Sequence, residues 1–170
     1  TKAAKEALLQ DYVSIMDDFD IFVVQEIRDK SGAAFETLCK KLPDYQCKAS
    51  SRAGRSSSKE QYGVVYRSIS KETGKAIQLV EMRDYNPDAQ DRWERPPLAV
   101  TFKVDKYQFT LYIIHVKPAA VQEELAALEH LIKNEGNIVV LGDFNADCSY
   151  YRPEQEQEFD TWHWILGEAD

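Results

Sequence analysis

The amino-acid sequence predicts an α/β layered sandwich, because amphipathic helices are interspersed with apolar strands and one strand pair has the pattern of an antiparallel hairpin. The hairpin combines residues 98–104 and 109–114 across the short polar turn Asp105-Lys106. Hairpins require antiparallel pairing, whereas a doubly wound parallel sheet is built from crossovers. The mixed order of elements therefore favours a layered sandwich over a doubly wound sheet.

The remaining elements follow from hydrophobic periodicity. Apolar residues recur at helical spacing in residues 8–16 and 121–133. A further helix ends before Pro43, and Ser31 is its predicted N-cap. Short apolar or β-branched runs predict strands at residues 21–24, 62–66, 76–82 and 138–141.

Composition limits the class of protein. The chain has 170 residues and a formal net charge of −8, so we expect a single globular domain over residues 1–170. A wholly cationic nucleic-acid binder is excluded, and any such contact must use a local basic patch. No apolar run approaches the roughly 20 residues of a membrane span, and the first residues do not resemble a signal peptide, so we expect a soluble chain without membrane contact. Cys39, Cys47 and Cys148 leave open one bridge plus one free thiol.

Two apolar strands each lead into a carboxylate. Glu26 follows Val23-Val24-Gln25, and Asp143 with Asn145 follows Val140-Leu141-Gly142. Strand alternation places Asp143 and Asn145 on one face and Glu26 on the face of Val24. Magnesium is held by one or two carboxylates together with water and phosphate oxygens, which this set would satisfy. The alternative is that each polar residue simply caps a turn at a strand end.

His115 ends the apolar run Leu111-Tyr112-Ile113-Ile114. A histidine in this position could act as a general acid or as a donor to phosphate. A core histidine bonded to the backbone is the alternative.

A basic segment lies between Cys47 and Lys59. It contains Lys48, Arg52 and Arg55 among Ser and Gly residues and has no acidic residue. Such a segment suits phosphate contacts that position a nucleic acid without reading its sequence. A solvated loop is the alternative.

Several blocks of sequence together resemble the endonuclease/exonuclease/phosphatase superfamily, and within it the deoxyribonuclease I branch. The blocks occur in the same order over nearly the whole chain: 24–29 (VQEIRD), 54–60 (GRSSSKE), 92–96 (RWERP), 114–115 (IH) and 141–153 (LGDFNADCSYYRP). The resemblance implies a four-layer α/β/β/α sandwich in which two mixed, largely antiparallel sheets pack face to face. It also implies magnesium-dependent hydrolysis of phosphodiester bonds, with manganese as an alternative cation.

Site residues follow from the same resemblance. Glu26 resembles the family's metal ligand, and Asp143 with Asn145 resembles the pair that orients the metal, the phosphate or the attacking water. His115 resembles one of two catalytic histidines, and Glu60 resembles the carboxylate that orients it. A metal and a histidine together can neutralise charge on the phosphorus and assist the leaving oxygen.

The resemblance also implies partners and location. DNA is the expected partner, contacted through its phosphate backbone by Arg28, Arg55, Arg95 and Arg152. Asp91 is the single match to a calcium loop, so Ca²⁺ as a structural ion rests on that residue alone. A secreted monomer is expected.

The sequence departs from the family pattern at both ends. The first strand with its Asn, the second catalytic histidine with its Asp, and the closing Asp-His pair have no counterpart in this chain. Cys148 matches a cysteine whose partner would fall in the segment without counterpart, and Ser58 replaces an aromatic residue that stacks on DNA. We therefore expect part of a longer nuclease, because deleting outer strands would expose sheet edges.

The sequence thus predicts an endonuclease that hydrolyses DNA with low sequence specificity. Two alternatives stay open. One is a phosphatase or phospholipid phosphodiesterase of the same superfamily, and the other is a catalytically incomplete module that binds nucleic acid or protein.

Overall fold

A computed structural model describes residues 6–146, 151, 158–163 and 165. Its helices are α1 (Glu6–Met16), α2 (Ala33–Lys40) and α3 (Val121–Ile132), the last preceded by a short 3₁₀ turn at Pro118–Ala120. Its strands are β1 (Ile21–Ile27), β2 (Tyr45–Ala49), β3 (Gln61–Arg67), β4 (Ile77–Asp84), β5 (Leu98–Val104), β6 (Tyr107–His115) and β7 (Ile138–Asp143).

The strands form two sheets. The first sheet has the order β1-β3-β2 with antiparallel pairing throughout. The second sheet has the order β4-β5-β6-β7, in which β4, β5 and β6 are antiparallel and β7 runs parallel to β6. The predicted hairpin is confirmed as β5–β6, and α3 provides the crossover that parallel pairing of β6 with β7 requires.

Side-chain alternation along the strands separates the core into layers. Val65 of β3 packs with Leu9 of α1 and Leu38 of α2 on one face of the first sheet. The next residue, Tyr66, packs on the opposite face against Phe102 of the second sheet. A further apolar cluster fills the space between the second sheet and α3. The order is therefore helices, sheet, sheet, helix, which confirms the four-layer α/β/β/α sandwich.

Strand β2 was not predicted. Lys48, at the start of the basic segment, therefore lies in a strand and not in a loop. Its exposed polar side chains mask the strand pattern, since only Tyr45 and Cys47 are half-buried. Cys47 lies opposite Val65 of β3 and forms a disulfide with Cys39 of α2. One bridge is therefore present, while Cys148 lies outside the described residues.

The predicted cap of α2 was wrong. The N-cap is Gly32, whose φ of 77° is accessible to glycine, and it makes no side-chain cap bond. The Asp29 carboxylate accepts hydrogen bonds from the Ala34 amide at 2.8 Å and from the Ser31 hydroxyl at 2.8 Å. The first amides of the helix are therefore shared by Asp29, three residues before the N-cap, and Ser31, whose hydroxyl accepts from the Ala33 amide at 3.3 Å.

Among the described residues, no helix has both the length and the apolar character needed to cross a membrane.

Candidate active site

A buried carboxylate and a buried histidine meet where the two sheets adjoin. Glu60 immediately precedes β3 in the first sheet, His115 ends β6 in the second, and they are 3% and 7% exposed. His115 Nδ1 lies 2.6 Å from Glu60 Oε1. Burial raises the pKa of Glu60, but hydrogen bonds from His115 and the charge of Arg95 outweigh it and leave that pKa below its ordinary value. Glu60 is therefore ionised at neutral pH.

The ionised Glu60 defines the protonation of the histidine ring. A carboxylate only accepts hydrogen bonds, so the Nδ1 atom of His115 must carry the hydrogen. The other ring nitrogen, Nε2, lies 3.7 Å from Asp143 Oδ2. The imidazole is thus oriented with one nitrogen anchored and the other directed to the carboxylate that ends β7.

Glu26 lies at an irregularity in β1. The pairing register with β3 skips between Val24 and Ile27, and Glu26 has a φ of 57°, in the left-handed region that glutamate rarely adopts. Strict alternation therefore ends at Val24 and does not define the direction of Glu26. Arg28 links this residue to the histidine pair, since its guanidinium lies 3.3 Å from Glu26 Oε2 and 3.4 Å from Glu60 Oε2. Backbone strain of this kind is concentrated at functional sites.

Asp143 and Asn145 come together through a turn. The Asn145 amide donates to Asp143 Oδ1 at 3.0 Å, and Asn145 has a left-handed φ of 49°. The Asn145 side-chain NH₂ donates to the Val116 carbonyl at 2.9 Å, just beyond His115. Phe144 packs against the cluster below α3, as its opposite orientation predicts. Asp143 and Asn145 therefore lie side by side as predicted, but a turn after β7 brings them together and not the alternation of a strand.

Two side chains that sequence reasoning did not single out cross between the sheets here. The Tyr62 hydroxyl of β3 accepts a hydrogen bond from the His115 backbone amide at 3.0 Å. Gln25 of β1 bonds to the main chain of both Ile114 and Asp143. The signal that could have identified them is a polar atom within a strand that is otherwise apolar.

The arginines expected to contact DNA differ in their surroundings. Arg28 is 59% exposed beside Glu26. Arg55 is 46% exposed, and its guanidinium lies 3.0 Å from Asp91 Oδ1, the carboxylate proposed for calcium. Arg95 is only 15% exposed and lies 2.9 Å from Glu60 Oε1 while donating to the His115 carbonyl at 2.8 Å. Arg152 lies outside the described residues. DNA contact by these arginines and calcium at Asp91 stay predictions.

A buried glutamate on α3 supports the loops around the site and was also missed. Glu124 is 2% exposed and accepts hydrogen bonds from the backbone amides of Glu94 at 2.7 Å and Lys117 at 3.1 Å. Burial raises the pKa of Glu124 above its ordinary value. The sequence signal was a carboxylate within the apolar stripe of the helix, between Val121 and Leu125.

The donors near His115 fit a hard cation. Glu26 on β1 of the first sheet and Asp143 on β7 of the second are carboxylates that are each 53% exposed, and Asn145 adds an amide. Among the residues that the structure describes, no cluster of three or more His, Cys, Asp or Glu side chains could hold a metal. Mg²⁺ needs only one or two protein carboxylates when water and phosphate complete its shell. The donor set therefore suits Mg²⁺ or Mn²⁺ and does not resemble a closed zinc site.

The four-layer sandwich is the fold of a known endonuclease/exonuclease/phosphatase class of proteins. Residues 2–165 match the model of the Endonuclease/Exonuclease/phosphatase family, and the chain belongs to that family.

One curated relative is similar to this chain over its whole length. It is 30% identical over 188 residues to deoxyribonuclease-1-like 1 of Rattus norvegicus, and the match covers 100% of this chain but 58% of that protein. The chain thus spans well under two thirds of the relative's length.

Solved structures share the fold at lower identity. The mannosyl-6-phosphatase of Bacteroides thetaiotaomicron superposes with a TM-score of 0.56 at 19% identity, covering 84% of this chain and 59% of that one. TDP2 of D. rerio, bound to a single-strand DNA product, superposes with a TM-score of 0.59 at 16% identity, covering 88% of this chain and 55% of that one.

Proposed function

We propose that the protein is a metal-dependent endonuclease that hydrolyses DNA phosphodiester bonds with little sequence preference. The observation that carries this proposal is the buried pair of Glu60 and His115. The His115 Nδ1 atom contacts Glu60, and its Nε2 atom lies 3.7 Å from Asp143 Oδ2. The similarity to rat deoxyribonuclease-1-like 1 supports DNA as the substrate. A carboxylate-anchored histidine beside oxygen donors suits proton transfer at a phosphodiester.

Each residue has a distinct part in the proposed reaction. Glu26 and Asp143 would hold Mg²⁺ or Mn²⁺, and Asn145, whose amide donates to Asp143, would orient the phosphate or the attacking water. When bound, the cation neutralises charge that develops on the phosphate oxygens. Glu60 holds the Nδ1 hydrogen of His115, so that Nε2 of the protonated ring can give its hydrogen to the leaving oxygen.

Exposed cations beside the site would contact the DNA backbone. Arg28 and Arg55 are each about half exposed, and Lys48 and Lys59 of the basic segment are exposed. Arginine and lysine contacts to phosphate fix the position of a duplex without reading bases, which accounts for low specificity. Because the chain as a whole has a net charge of −8, any attraction to DNA would come from such a local group of cations.

The disulfide supports a secreted protein. Cys39 and Cys47 are joined, and disulfides persist in oxidising compartments whereas cytosolic thiols stay reduced.

A plasmid-nicking assay tests the function. Supercoiled plasmid is incubated with this chain in Mg²⁺, in Mg²⁺ plus Ca²⁺, and in chelator. We expect nicking that requires the cation and that falls about 100-fold or more in His115→Ala and in Asp143→Asn, because each removes a group that acts in the transition state. Matched controls are His130→Ala on the exposed side of α3 and Asp11→Asn on α1, which should nick like the original chain.

The competing functions give different results in the same experiment. Release of phosphate from a phosphomonoester without nicking would replace the endonuclease by a phosphatase. A folded sample that binds plasmid but cleaves neither substrate would instead indicate a binding module.

A further inference from the structure

Gln25 uses both ends of its side-chain amide to join the two sheets beside the candidate active site. Its Nε2 donates to the Ile114 carbonyl at 2.8 Å, and its Oε1 accepts from the Asp143 amide at 3.1 Å. The partners lie 89 and 118 residues away in the chain. One residue of β1 is therefore bonded to two neighbouring strands of the second sheet.

The fold leaves room for this amide at Gly142. A Cβ at that position would lie 2.7 Å from Gln25 Nε2 and 1.9 Å from the Ile114 carbonyl oxygen. Gly142 also has a φ of 141°, which residues other than glycine rarely adopt. The strand before Asp143 is thus shaped so that the Gln25 amide can approach the backbone.

The bonds of Gln25 act on the two carboxylates through the main chain. Glu26 follows Gln25 directly, at the bulge where β1 departs from its register. The backbone amide of Asp143 donates a hydrogen bond to the Gln25 side chain. Because Gln25 is covalently joined to Glu26 and its side chain is hydrogen-bonded to the backbone of Asp143, the separation of the two carboxylates depends on it.

We propose that Gln25 is a positioning residue that fixes Glu26 and Asp143 relative to each other and thereby sets the affinity of the site for a divalent cation. The inference rests on the proposed function, which takes these carboxylates as the cation's ligands. Partners that orient ligands from outside the coordination shell typically change metal affinity 10- to 100-fold when they are replaced. An effect of that size is measurable without any reaction.

The test replaces Gln25 by an apolar side chain of similar length, Gln25→Met. The matched control is Gln46→Met, because Gln46 also uses both ends of its amide, bonding Ser68 at 2.7 Å and Tyr66 at 2.8 Å within the first sheet. Mn²⁺ affinity of the DNA-free protein is measured by titration calorimetry, and melting is followed in chelator. We expect about tenfold weaker Mn²⁺ binding in Gln25→Met and unchanged binding in Gln46→Met.

A second readout separates positioning from general destabilisation. In nicking assays, Gln25→Met should need about tenfold more Mg²⁺ for half-maximal rate, with kcat largely restored at saturating Mg²⁺. If Gln25→Met does not fold, Gln25→Asn keeps the amide but shortens its reach, and it should weaken Mn²⁺ binding in the same direction. Mn²⁺ affinity within twofold of the original chain in either folded variant overturns the proposal.

The outcomes also separate this inference from the proposed function. If the original chain binds Mn²⁺ but does not nick DNA, and Gln25→Met weakens that binding, the endonuclease proposal fails and the positioning role stands. If the original chain nicks DNA and Gln25→Met binds Mn²⁺ normally, only the positioning role fails. If the original chain binds no Mn²⁺, both fail.

Discussion

At the scale of single residues, the candidate site depends on side chains whose burial or backbone conformation is costly by itself. Glu60 is a buried carboxylate, and burial disfavours its charge. Glu26 and Asn145 have left-handed backbones at φ of 57° and 49°. The cost of burying Glu60 is offset by His115 and Arg95, and the left-handed backbone of Glu26 lies at the register shift in β1. Substitutions at these positions therefore have predictable consequences.

The lowered pKa of Glu60 predicts a pH-dependent stability. A carboxyl group whose folded-state pKa is depressed stabilises the fold above its ordinary value, near 4.5, and loses that contribution as pH falls through the folded-state pKa. Replacing it by Gln removes a buried charged acceptor, so Glu60→Gln should lose about 2 kcal/mol of unfolding free energy at pH 7. Urea unfolding in chelator from pH 7 to pH 3 measures this.

The difference between Glu60→Gln and the original chain should shrink as the pH falls below about 4.5, because the unfolded chain then takes up a proton that the lowered pKa of Glu60 keeps off the folded chain. A difference that stays constant down to pH 3 would show that folding does not lower the pKa of Glu60. Glu36→Gln on the exposed face of α2 serves as the control and should match the original chain throughout.

Gly142 is the position where a single added methyl group should disturb the site most. An alanine Cβ would meet the Ile114 carbonyl oxygen at 1.9 Å and occupy a strained φ of 141°. Gly142→Ala should therefore reduce the unfolding free energy by about 3 kcal/mol and abolish nicking even where the chain stays folded. Gly136→Ala is the control, since nothing lies within 4 Å of its added Cβ. Equal melting temperatures for the two variants would contradict the packing described here.

At the scale of elements, the apolar pattern of the sequence predicted the strands that have a continuous buried run and missed the strand that does not. Strands β5 and β6 each contain a continuous run of buried residues and were predicted with correct pairing. Strand β2 was missed because only Tyr45 and Cys47 are half-buried, while Gln46, Lys48 and Ala49 are exposed. Its place in the sheet depends on pairing with β3 and on the disulfide to α2. Neither contact leaves a local pattern in the residues of β2.

The disulfide between α2 and β2 should stabilise the outer helical layer. Cys39 and Cys47 are 8 residues apart. A short closed loop of that size corresponds to about 2.5 kcal/mol by the chain-entropy model. The double variant Cys39→Ser with Cys47→Ser should lose about that amount in denaturant unfolding, and reducing agent should destabilise the original chain but not the variant. Nicking at low temperature should be retained, since the bridge contacts no residue of the candidate site. Equal stability with and without reductant would show that the bridge does not form.

At the scale of the whole molecule, the candidate site is a product of packing two sheets together. Glu60 and His115 lie 55 residues apart in the chain, and Gln25 and Asp143 lie 118 residues apart. Sequence motifs could mark His115 and Asp143 as polar residues at strand ends, but pattern alone left them as separate candidates. The cross-sheet hydrogen bonds of Gln25 and Tyr62 depend on the tertiary arrangement, so reasoning on strands and helices one at a time could not find them.

Arg28 and Arg55 are exposed cations on an acidic molecule, and the salt dependence of DNA binding tests whether DNA contacts them. Each phosphate contact on duplex DNA adds about 0.9 to the slope of log affinity against log salt. Arg28→Ala and Arg55→Ala should each flatten the slope by about that amount, measured by anisotropy on labelled duplex in chelator so that no cleavage occurs. Lys71→Ala is the control, because this 58% exposed lysine pairs with Asp17 near the start of β1, at the other end of that strand from Glu26. A slope flattened by Lys71→Ala but not by the two arginine variants would place the DNA on the opposite end of the first sheet.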